Sequence, residues 1–163
     1  MDHLTIDREG AEMQLNIGFV STRFAGTDGV TLEASKWAEV LEGNDHRCFW
    51  FAGELDHDAD RSYLMPAAHF QGDPNIWINE RVIGRRERKP NVTQAIHDQR
   101  AALKAHLHRF IKKFAIDLLV VENALTIPMQ VPLGLALTET IAETQIPTIC
   151  HHHDFFWERV RFT

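Results

Sequence analysis

Three consecutive histidines, His151, His152 and His153, stand directly before Asp154, and Phe155, Phe156 and Trp157 follow at once. Imidazole titrates near neutral pH, ligates metals and exchanges protons with hydroxyls, and a neighbouring carboxylate widens that repertoire. The stretch "HHHDFFWERVRF" is therefore open to four readings: a metal site, the remnant of an affinity tag, a buried strand end, or the rim of an active site. Two other stretches carry chemistry. "STRFAGTDG" sets Gly26, Thr27, Asp28 and Gly29 just ahead of an amphipathic pattern, and "DLLVVEN" ends on Glu122 and Asn123. What these residues do depends on the elements that position them.

"LNIGFV" (Leu15 to Val20) is a short continuous apolar run and reads as a buried strand. Val30, Ala34, Trp37, Ala38 and Leu41 then recur on one helical face, and "EGND" supplies the stop. "HRCFWFAGE" is a second buried strand from about Arg47 to Ala52. The middle of the chain is irregular, with one short strand near Tyr63 to Met65 and room for a short helix. From Pro90 onward, Val92, Ile96, Leu103, Leu107, Phe110 and Phe114 recur at intervals of 4, 7, 4, 3 and 4, which predicts a long amphipathic helix. Pro90 suits its first turn, and Arg109, Lys112 and Lys113 complement its C-terminal dipole. "DLLVVEN" (Asp117 to Asn123) is the next strand. A helix from near Pro132 follows, with Leu133, Ala136, Leu137, Thr140 and Ile141 inward, and "IPTICHH" (Ile146 to His152) is the last strand. Buried runs joined by amphipathic helices predict an α/β fold, a Rossmann-like parallel sheet with helices on both faces in three layers.

In such sheets, ligands bind outside the carboxyl ends of the strands. The connections there, "STRFAGTDGV", "GELDHD", "ENALTIPMQ" and "HHDFFWER", are rich in polar and ionisable residues, while "EGND" and "ETQIP" at the opposite edge are plain. Gly26 and Gly29 flank a helix N-terminus, where backbone N–H groups favour an anion, although the spacing matches neither the dinucleotide nor the Walker pattern. Strand alternation sends His151 and His153 to one face and His152 to the other. The three histidines therefore cannot converge on one metal, and zinc would need ligands from Glu122, Asp56, His57 or Asp58. The expectation is no metal, with His151 and His152 as hydrogen-bonded strand-end residues and His153 and Asp154 facing the ligand edge. The run's internal place in an apolar strand argues against an affinity tag. At least two of Phe155, Phe156 and Trp157 are expected in the core.

The chain has 163 residues, 17 basic against 23 acidic, and a net charge of −6, so nucleic acid is not the expected partner. The basic run Arg81 to Lys89 reads as a solvated loop. No apolar run approaches the length of a membrane span, and the polar N-terminus is not a signal peptide. Cys48 and Cys150 are expected as two reduced, buried thiols, which makes the cytoplasm the default compartment.

Three stretches in register carry a family likeness: "IGFVSTRFAGTDGVTLEASKWAEVL", "DLLVVENALTIPMQVPLGLAL" and "PTICHHHDFFWERVRF". Together they resemble the first strand, glycine loop and helix, the fourth strand and its helix, and the His-Asp strand of family 4 retaining glycosyltransferases. Those enzymes have two facing Rossmann-like domains, the GT-B architecture. The resemblance implies that Gly26, Thr27, Asp28 and Gly29 approach the diphosphate of a nucleotide-sugar donor. It implies that His153 and Asp154 stand at the reacting sugar, and that Glu122, Asn123 and His153 face the acceptor, a sugar or another hydroxyl compound. It implies no cofactor beyond the nucleotide-diphosphate sugar itself, and no metal. The family's C-terminal Rossmann-like domain, which holds most of the donor site, has no counterpart in these residues. The expectation is thus a flexible leader over residues 1–14 and an acceptor-side domain over 15–163, incomplete at its C-terminal end and inactive alone. An exposed sheet edge or apolar surface would then offer a homodimer contact. The alternative is a stand-alone Rossmann-like module that binds a sugar or nucleotide without catalysis. A small histidine-centred metallohydrolase is a third reading.

Overall fold

The computed structural model describes residues 13–162, so positions 1–12 of the expected leader lie outside the described residues. Five parallel strands form one sheet: β1 (Asn16–Val20), β2 (Arg47–Ala52), β3 (Ser62–Leu64), β4 (Leu118–Glu122) and β5 (Thr148–His151). Their order is β3-β2-β1-β4-β5. Four α-helices connect and cover them: α1 (Gly29–Glu42), α2 (Asp73–Val82), α3 (Pro90–Phe114) and α4 (Val131–Thr144). The chain winds outward from β1 to β3, then returns through α2 and α3 to start again at β4 beside β1. That reversal makes a crevice at the carboxyl ends of β1 and β4. The α/β, Rossmann-like expectation holds.

Strand alternation divides the core. Ile17, Phe19, Cys48, Trp50 and Val120 pack toward Ala34 and Ala38 of α1. Val20, Phe49, Phe51, Leu119 and Val121 pack toward Leu103, Leu107 and Phe110 of α3 and Leu133, Ala136 and Leu137 of α4. Gly18 leaves room for this second layer, since a Cβ there would stand 2.8 Å from the Phe110 ring. Helix α3 follows the expected stripe closely, with Val92, Ile96, Leu103, Leu107 and Phe110 buried. It ends at Ala115 in a left-handed conformation, just after Lys112 and Lys113. Arg100 and Lys104 of α3 share Glu139 of α4, which ties the two helices on their outer side. None of the described helices is long and apolar enough to cross a membrane.

Two expectations about burial fail. Cys48 is buried as expected, but Cys150 is exposed, because β5 pairs with β4 alone and is a sheet edge. Phe155, Phe156 and Trp157 are 38%, 45% and 60% exposed and do not enter the core. The chain turns there into a short 3-10 segment (Phe156–Glu158), and Phe155 stacks on Trp157 with centroids 4.6 Å apart.

Burial pushes the Cys48 thiol up to about 12 and raises that of Cys150 as well. A thiol reagent such as Ellman's should therefore modify Cys150 in the native protein and Cys48 only on denaturation. Because the Cys150 pKa is raised, its labelling should be slower than free cysteine near pH 8 and should quicken as the pH rises. Rapid native labelling of both thiols would contradict the buried position of Cys48.

Candidate functional site

The crevice between β1 and β4 opens into a cavity of about 220 Å³. Its polar lining comes from Ser21, Thr22, Arg23 and Asp28 after β1, Asn123 after β4, and Asp154 and Arg159 after β5. Val30, Phe70, Ile127 and Met129 supply apolar surface, and Glu122 underlies the wall. Three of the four expected carboxyl-edge loops thus meet here. The loop after β2 instead supports the floor: Gly53 donates its N–H to the Thr22 carbonyl at 3.0 Å.

Asp28 plays a local role first. It is the N-cap of α1, accepting from the N–H groups of Val30 and Thr31 at 3.1 Å each. It also accepts from Arg23 at 2.8 Å, and Arg23 reaches Glu54 at 2.7 Å. Part of the helix N-terminus expected to meet a phosphate is therefore occupied by the chain's own carboxylate. Gly26 adopts φ +71° and donates its N–H to Asp56 at 2.7 Å, so the loop turns where only glycine is unstrained. Gly26, Thr27 and Gly29 border the cavity's rim residues in sequence but do not line it. Asp28→Ala should cost about 1 kcal/mol through loss of the cap. Urea unfolding would measure it, and an unchanged midpoint would contradict the capping role.

Register explains the histidines. In the parallel ladder Glu122 lies opposite His151, and both face the α1 side with Val120. Glu122 has no exposed surface. His151 Nδ1 lies 3.1 and 3.0 Å from its two oxygens, and His153 Nε2 lies 2.8 Å from Oε2. Trp37 of α1 stacks on His151 at 4.7 Å. The expected alternation is realised, with His152 turned away to the Thr126 hydroxyl. The Glu122 carboxylate thus binds the two imidazoles, while the residue itself borders the cavity. His153, 22% exposed in its side chain, sits behind the cavity.

Asn123 joins the two halves of this arrangement. It holds φ +59°, a left-handed conformation that asparagine tolerates better than most residues. Its N–H donates to the His151 carbonyl at 3.0 Å, and its Oδ1 accepts the His153 N–H at 2.7 Å. The loop after β5 is fixed in this way, and Asp154 then reaches the cavity, where Arg159 pairs with it.

Residues without a sequence signal complete the wall. Asn75 and Asn79 of α2 both donate to the Met129 carbonyl, at 2.7 and 2.8 Å, and so hold the loop after β4. Gln130 caps α4 through its Oε1 and donates to the Ala67 carbonyl at 2.8 Å. The basic run Arg81 to Lys89 lies away from the cavity and is largely exposed, with Arg81 stacked on Trp77 at 4.4 Å.

No family model matches the sequence. The chain is similar to a mannosylglucosylglycerate synthase of Petrotoga mobilis. The two are 24% identical over 146 residues, which cover 89% of this chain and 33% of that protein. The chain thus spans about a third of the length of that curated relative.

Proposed function

We propose that this chain is the acceptor-holding domain of a family 4 retaining glycosyltransferase of GT-B architecture. The reaction moves a sugar from a nucleoside-diphosphate sugar to a hydroxyl acceptor. The observation that carries the proposal is the cavity at the β1/β4 reversal, whose lining suits a sugar. Hydroxyl, amide, carboxylate and guanidinium groups stand on one side, and the apolar faces of Val30, Phe70, Ile127 and Met129 on the other. At about 220 Å³ it is smaller than the roughly 300–1,000 Å³ of drug-sized sites. A single sugar ring matches that scale. The similarity to a mannosylglucosylglycerate synthase supports sugar transfer as the reaction class.

In this proposal Asn123 and Asp154 hold the acceptor hydroxyl against the donor's anomeric carbon, where orientation replaces a bimolecular encounter. His153, held by Glu122 and Asn123, does not touch the sugar in this reading and positions the loop that carries Asp154. The Gly26–Gly29 loop, with Arg23 at its base, turns toward the departing diphosphate, and a second Rossmann-like domain supplies the rest of the donor site. Positive groups aimed at the leaving group stabilise its developing charge.

Saturation-transfer NMR of the chain with free sugars and nucleoside-diphosphate sugars, in the presence of a chelator, tests the reading. Sugar protons should saturate, and Asp154→Ala and Asn123→Ala should abolish the effect while the folded state persists. A Cβ at Gly29 meets nothing within 4 Å, so Gly29→Ala should fold normally and weaken only the diphosphate compounds. Unaltered binding of those compounds by Gly29→Ala would remove the loop's phosphate role. Absence of any sugar saturation by folded wild type would overturn the proposal, and saturation confined to base and ribose would favour a nucleotide-binding module instead.

A further inference from the structure

We infer that Glu122, His151 and His153 form a binding site for a divalent transition-metal ion of the zinc type. The three residues offer ligand atoms that all lie within 4.8 Å of one another. They converge for a topological reason. The β4–β5 register sets Glu122 beside His151, and strand alternation returns His153 to the same face. Two imidazoles and one carboxylate are a donor set that zinc and its neighbours favour, with further positions left for water or another ligand.

The electrostatics point the same way. Glu122 has no exposed surface, and among the described residues its carboxylate meets the two imidazoles and no lysine or arginine. A buried carboxylate requires a positive partner nearby. A divalent ion between the three groups supplies that charge directly. On binding, each ring turns a lone pair to the metal, and the protons now shared with the carboxylate move to the other ring nitrogen or to solvent. The surroundings already restrict the rings: Trp37 stacks on His151, and the Asn123 side chain holds the His153 backbone. His152 is excluded, since its ring is turned to Thr126. The site ties the edge strand β5 to β4, and it stands apart from the sugar reading above, whose test is run with chelator present.

Titration of the chelator-treated chain with Zn²⁺ by calorimetry, and with Co²⁺ by visible absorption, decides the matter. One ion per chain should bind, Co²⁺ should give the intense bands of low coordination, and the melting temperature should rise with metal. His151→Ala and His153→Ala should each weaken binding by at least about tenfold. His152→Ala, on the opposite face, should leave the affinity unchanged. Circular dichroism of each variant without metal separates lost binding from lost fold. If Glu122→Ala does not fold, the two histidine variants still decide. A wild type that binds neither ion, or affinity that survives in both His151→Ala and His153→Ala, would overturn the site.

Discussion

Gly53→Ala is expected to cost about 3 kcal/mol or more, at the upper end of what overpacking does. A Cβ at residue 53 would stand 2.0 Å from the backbone nitrogen of His69, 2.3 Å from its Cα and 2.5 Å from its Cβ. None of these atoms is a flexible side-chain tip, so the two loops themselves would have to part. Thr22, whose carbonyl accepts from Gly53, and Phe70, next to His69, both line the cavity. The variant should therefore lose ligand binding together with stability. For a chain of this size the melting temperature should fall by roughly 6–12 °C. Gly29→Ala is the contrast, because open space surrounds its Cβ. Equal melting temperatures for Gly53→Ala and wild type would show that the loops are not packed as described.

Glu122→Ala is the second large effect. The carboxylate is fully buried while its partners keep 24% and 22% of their side-chain surface. Removing it leaves a void under the cavity and two imidazoles without an acceptor. Breaking a buried pair from one side costs about 3–5 kcal/mol. The lower end is expected here, since both rings can turn to water. Glu122→Gln keeps the volume and one acceptor oxygen, so it should cost about 1 kcal/mol, the worth of one ordinary hydrogen bond. The ordering of the two variants in urea unfolding is the test. Equal, small losses would mean that the His151 and His153 contacts contribute little to the fold. Hydrogen exchange should also rise first in β5 of the alanine variant, because that strand has β4 as its one neighbour.

Legibility from sequence followed the hydrophobic signal. Helix α3 was readable along its whole length, because one face is apolar at regular spacing and buried as a stripe. The alternation of His151, His152 and His153 was readable too, since a strand's period is fixed by its backbone. What alternation does not contain is register. The pairing of Glu122 with His151 is set by the crossover through α4, and no local pattern states it. Helix α2 gave a weak signal for a different reason. Its buried positions are Asn75 and Ile78, and a polar residue on the inner face dilutes the periodicity. Phe155, Phe156 and Trp157 misled because apolar composition predicts burial only where a neighbouring element exists to cover it. The same holds for Cys150 on the edge strand.

The two asparagines of α2 that grip the Met129 carbonyl have a consequence for how this site can diversify. The loop carrying Ile127 and Met129 hangs from a helix that itself contributes nothing to the lining of the cavity. A small rotation or slide of α2 would narrow or widen the opening while every lining residue kept its identity. Variation in α2 is thus a route to new ligand preference that leaves the contact surface untouched, and a mutational library confined to its outer turns would be the place to look for it.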